Sequence, residues 1–137
     1  MPTPKPLSAP LHYRRMWLAI GMLLLMLLIY GSLAPAKALP VVGGTDKFWH
    51  AATYFVVMAY FSQIDARLQR RLSIAVALIA LGIVIEFIQP LVNRHFDWFD
   101  ALANAVGVTL ALVMSLSPLG LMLPWADDRL HRYRRAW

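Results

Sequence analysis

The sequence predicts an all-α membrane protein with four transmembrane helices and both termini in the cytoplasm. Three observations carry that expectation. First, 60% of the 137 residues are hydrophobic and only 15% charged, more apolar surface than a soluble domain of this size can bury. Second, the apolar residues gather into four runs separated by proline and glycine. Third, if the chain crosses at each run, ten of its thirteen Lys and Arg fall on one side.

The first run, 16–33, carries no charge. The others are placed at about 48–64, 72–89 and 98–119. A hydrocarbon core of about 30 Å needs roughly 20 helical residues, with ~17 as the minimum. The first, third and fourth satisfy this readily, whereas His50 and Tyr54 interrupt the second. Pro35 and Pro40 follow the first run, Gly43 and Gly44 precede the second, Pro90 ends the third, and Pro118 and Pro124 close the fourth, each where a helix must stop. Trp17, Trp49, Trp98 and Trp125 stand near run ends, the position of an interfacial aromatic belt. The chain then divides into a flexible basic lead at 1–15, a membrane domain at 16–124 and a basic cytoplasmic tail at 125–137.

Orientation follows from the cations. Lys5, Arg14, Arg15, Arg67, Arg70, Arg71, Arg129, Arg132, Arg134 and Arg135 share one side, against Lys37, Lys47 and Arg94 on the other. The positive-inside rule makes the richer side cytoplasmic. The basic tail reads as a topology anchor against anionic lipid, and nucleic acid is not an expected partner. The first run also resembles a cleavable signal peptide, with candidate sites at Ala34-Pro35-Ala36 and Ala36-Lys37-Ala38. Its length exceeds the usual apolar region of ~7–15 residues, which favours a retained helix. With no cysteine, disulfides and thiolate metal sites are excluded.

The outer ends of three runs carry the polar residues. Asp46, Lys47 and His50 open the second run, with Tyr54 a turn further in on the face shared by Asp46 and His50. Glu86 and Gln89 lie three apart near the end of the third run, with Arg94 just beyond it. Asp97, Asp100 and Asn104 make a stripe at the start of the fourth, continued by Gly107, where a missing side chain lets a neighbouring helix approach. Ionisable groups at membrane depth are costly and mark functional sites.

Ordinary structural roles compete. Asp46 and Asp97 suit helix N-caps or first-turn acids, Lys47 and Arg94 suit snorkelling, and His95 suits a solvated loop. Glu86, Asp100, Asn104 and His50 lack such a role and need partners inside the bundle. A shared site or a structural polar network would supply them.

The pieces Tyr30-Gly31-Ser32-Leu33-Ala34-Pro35, Asp46-Lys47-x2-His50-x3-Tyr54, Glu86-x2-Gln89 and Arg94-x2-Asp97-x2-Asp100-x3-Asn104-x2-Gly107 together resemble the VanZ-like family of small bacterial membrane proteins. That family commonly has Gly before the arginine, where Asn93 stands here. The resemblance implies the bacterial inner membrane and a cell-envelope role, with glycopeptide resistance as an analogy only.

Three mechanisms follow. An envelope binding or protecting module would use Lys47 and Arg94 to clamp the phosphate of a lipid-linked cell-wall precursor. An enzyme would use His50 as acid or base with Asp46 or Glu86 orienting it, Asp100 in the catalytic set, and a divalent cation on Asp97 and Asp100 as cofactor. In a purely structural module the cluster would set helix register, with homo-oligomers and membrane lipids as partners. A transporter or proton relay is disfavoured, because the cluster is one-sided and no inverted repeat is visible.

Overall fold

The computed structural model describes residues 11–35 and 46–136. Five helices follow in order: α1 (Arg14–Leu33), α2 (Asp46–Ile64), α3 (Leu68–Ile88), α4 (Trp98–Ser115) and α5 (Met122–Arg135). Single 3-10 turns at Gln89–Val92 and Pro118–Leu121 lie before α4 and α5. No strand occurs among the described residues. Three segments are long and apolar enough to cross a membrane: Arg14–Leu33, Leu68–Val92 and Trp98–Ser115. Helix α2, interrupted by polar residues, is not among them.

Helix α2 is the hub, packed on α1, α3, α4 and α5, and most extensively on α4. The core joins Leu28 of α1, Tyr54, Val57 and Met58 of α2, Ala75, Leu78 and Ile85 of α3, and Val108 and Ala111 of α4. The expected close approach occurs at Gly107, where a β-carbon would stand 2.1 Å from the Ala51 carbonyl oxygen. Around this core the bundle is apolar outside and polar inside. Met26, Leu27, Val76, Leu110 and Val113 are exposed, whereas Glu86, Gln89 and Asn104 are almost wholly buried. Such an inversion suits a hydrocarbon solvent, in which buried polar groups must find one another.

Several boundaries differ from the sequence reading. Helix α3 starts at Leu68 rather than 72, because Gln69, Arg70 and Arg71 propagate a helix well. Helix α4 stops at Ser115, short of 119, as Pro118 cannot extend it and Ser117 turns extended to cap the next turn. The segment expected as a basic tail is largely α5, with Leu123 and Asp127 one turn apart facing the body. Within the expected lead at 1–15, Leu11 is buried against Ile64 and Leu123. Residues 1–10 and 36–45, with Lys5, Lys37, Pro40, Gly43, Gly44 and a candidate cleavage point, lie outside the described residues.

Polar contacts fasten the end of the bundle that carries most of the arginines. Tyr13, the residue before α1, offers no side-chain cap. The Asp127 carboxylate of α5 instead fastens the approach to α1, accepting from the amides of His12 (2.6 Å) and Tyr13 (3.0 Å) and from the Trp17 indole in the first turn (2.8 Å). Burial pushes the Asp127 carboxyl up, but these donors outweigh it and hold the group below the ordinary carboxylate range. Buried Arg71 donates to the Ser62 carbonyl near the end of α2 (2.8 Å) and to the Ser115 carbonyl ending α4 (2.7 Å), placing a cation where two helix dipoles are negative.

Candidate functional site at the opposite end of the bundle

The chain's alternating direction brings the starts of α2 and α4 beside the end of α3, as the three sequence stripes require. Asp97 caps α4 by accepting from the Phe99 amide at 2.8 Å. Its second oxygen accepts from Lys47 Nζ at 2.6 Å, and Asp100 Oδ1 accepts from the same ammonium at 3.0 Å. Lys47 and then the Phe99 amide hold the Asp97 carboxyl below the ordinary range.

Deeper in, His50 Nδ1 lies 3.1 Å from Asn104 Oδ1. An amide oxygen accepts only from an N–H, so in this contact Nδ1 is the donor, and in the neutral ring Nε2 is the acceptor. Nε2 faces Asp100 Oδ2 at 3.6 Å and Asp46 Oδ2 at 3.9 Å. Asp46 is the exposed member, whereas His50 and Asp100 are buried. Glu86 is buried completely; its Oε2 accepts from the Asp97 amide at 3.3 Å. Among the described residues, Glu86 Oε1, the Tyr54 hydroxyl and Asn104 Nδ2 are buried without a hydrogen-bond partner. Unmet groups of this kind are costly in a bundle interior.

The structure thus brings together Asp46, Lys47, His50, Tyr54, Glu86, Asp97, Asp100 and Asn104, and sends two candidates elsewhere. Gln89 Nε2 donates to the Ser32 carbonyl at 3.1 Å, and Arg94 Nη1 approaches the Ala34 carbonyl at 3.4 Å. Both reach carbonyls at the end of α1, whereas Lys47 is bonded to Asp97 and Asp100. His95 is exposed in the turn, as expected. Asn93 takes the left-handed conformation, φ 59° and ψ 36°, which Asn adopts more readily than most residues. Of the residues considered for a cation, Asp100 faces His50, while the Asp97 oxygens are taken by Lys47 and the Phe99 amide.

Gly82 was missed. A β-carbon there would meet Asn104 Nδ2 at 3.1 Å and a Tyr54 ring carbon at 3.4 Å, so its bareness makes room for the polar groups. The signal was its place one turn before Glu86. Arg71, counted above only among the cytoplasmic cations, continues the buried stripe Ala75, Leu78, Gly82 and Ile85 of α3. A groove of about 740 Å³ lies at the other end, lined by Trp17, Tyr60, Gln63, Met122 and Trp125 among others. It offers no carboxylate, imidazole or amine and is no rival for the chemistry.

No protein-family model matches the chain, and no solved structure matches it. An uncharacterized protein of Schizosaccharomyces pombe, C11E3.10, is 34% identical over 116 residues, an alignment covering 80% of this chain and 70% of the relative.

Proposed function

The chain belongs to the family of the uncharacterized fission-yeast protein C11E3.10, and from that premise we propose a multi-pass membrane protein whose polar end binds the headgroup of a lipid-linked phosphate ligand. In this reading α2 is a fourth crossing. Its 19 residues reach roughly 28 Å at 1.5 Å per residue, and His50 and Tyr54 face the bundle interior rather than lipid. Ten cations against three put both termini in the cytoplasm and the polar site on the other face.

The observation that carries the reading is the convergence of Lys47, His50, Glu86, Asp100 and Asn104 from three helices, with polar atoms left unpartnered inside an apolar exterior. Carboxylates outnumber cations there, so the fitting ligand is a phosphate accompanied by positive charge, not a bare anion. The VanZ-like resemblance extends the proposal to the bacterial inner membrane and the cell envelope. The fission-yeast relative argues for a ligand broader than bacterial cell wall, and resistance is not part of the proposal. A second reading, in which the site is catalytic, draws on the open Nε2 of His50 beside Asp100, the geometry of a general base.

Native mass spectrometry of protein released gently from its own membranes tests the proposal. The wild type should carry a lipid phosphate that brings its own positive group or a bound cation, and Lys47→Ala and Glu86→Gln should lose it while staying folded. A bare wild type, or equal retention in both variants, would reject it.

A further inference from the structure

We propose that Asp46, His50 and Asp100 bind one divalent transition-metal ion of the zinc class at the polar end of the bundle. Three acceptor atoms, His50 Nε2 and one oxygen from each carboxylate, lie within 4.8 Å of one another. The separations from Nε2, 3.6 Å and 3.9 Å, are too long for hydrogen bonds. They are close to the spacing of about 3.4 Å between two ligand atoms held ~2.1 Å from a tetrahedral ion. With the ring neutral, two carboxylate oxygens and an imidazole nitrogen face one another at these distances, a set that suits a cation.

Both buried ligands are also oriented from behind. His50 Nδ1 is bonded to Asn104, which aims the Nε2 lone pair inward, and Asp100 Oδ1 is bonded to Lys47, which turns Oδ2 toward the imidazole. Metal ligands are held by such outer partners. An imidazole donor favours a transition metal over Mg²⁺, which takes oxygen ligands. Exposed Asp46 marks the way in, and three protein ligands leave a fourth position open for a ligand. What the ion does there rests on the headgroup reading above; whether it binds does not.

A second group, His12, Asp127 and Asp128, meets the same spacing but is differently engaged. The Asp127 oxygens already hold three N–H donors, and His12 Nε2 is 3.2 Å from Asp128, an ordinary ion-pair distance.

The test is titration of the chelator-stripped, detergent-solubilised full chain with Zn²⁺ alone, and with Co²⁺ read by its visible absorption. The wild type should bind one ion per chain. His50→Ala and Asp100→Asn should weaken binding at least tenfold, Asn104→Ala by about 10- to 100-fold, and Asp97→Asn and His12→Ala little. Absence of saturable binding by the wild type, a Co²⁺ spectrum without nitrogen ligation, or loss that follows His12 instead of His50 would overturn the proposal. The Co²⁺ spectrum needs no variant, so a misfolded mutant does not blunt the test. No lipid ligand is added, so failure here leaves the headgroup reading standing, and a bare protein by mass spectrometry leaves the ion reading standing.

Discussion

At Gly107 the α2 backbone comes so near that a single methyl has no room, because the atom in its way is a carbonyl oxygen and not a side chain that can turn aside. Gly107→Leu should therefore push α2 from α4 and cost about 1–3 kcal/mol or more, read as a lower melting temperature in detergent with loss of the compact species. Asp127 makes a different prediction. Its carboxyl is held below the ordinary range, so the stability it contributes is present above the unfolded value of about 3.9 and is lost as pH falls through the lower folded value. The amides of His12 and Tyr13 should be protected from hydrogen exchange at neutral pH and exposed in acid. Asp127→Ala should expose them at every pH, at a cost of about 1.5–3 kcal/mol for the lost hydrogen bonds to a charged group; unchanged protection would contradict this role. The part played by Gly107 was legible in its spacing from Asn104. That of Asp127 was not, because its partners lie 110 or more residues away in sequence.

The turn between α3 and α4 aims two elements at once. Asn93 holds the left-handed residue that reverses the chain, and Arg94 and Gln89 on either side reach back to the end of α1. Asn93→Gly should leave the melting temperature unchanged or raise it, whereas Asn93→Val should cost about 1–2 kcal/mol. Equal stability of the two variants would show that the conformation is not required. Spans α1, α3 and α4 were legible because uncharged length is a property of consecutive residues. Helix α5 was not, since what makes it an element rather than a tail is one docked face: Leu123 in an apolar nook, its amide bonded to Gln63 of α2 at 2.8 Å, and Asp127 on α1. Gln89 shows the same limit in the candidate site. Its spacing from Glu86 put both on one side of α3, yet the Ser32 carbonyl, on another helix, decides where it points.

For the molecule as a whole, the proposed orientation is open to a direct check because the chain has no cysteine of its own. His95→Cys and Ala136→Cys, both at exposed positions, should react oppositely with a membrane-impermeant maleimide: the first in intact cells, the second only after permeabilisation. The reverse pattern would turn the protein over, and labelling of both from outside would remove a crossing. The convergence of three polar stripes could be read beforehand because it follows from alternating helix direction alone. The commitment of Lys47 to two carboxylates could not, since it depends on how closely α2 and α4 stand. The carboxylate that α5 lends to the start of α1 also has a temporal meaning. His12 and Tyr13 are synthesised before Asp127, so their amides meet this carboxylate only once α5 has been made. The approach to α1 is thus completed only when α5 docks, and a chain cut short before Asp127 should leave these two amides open to hydrogen exchange.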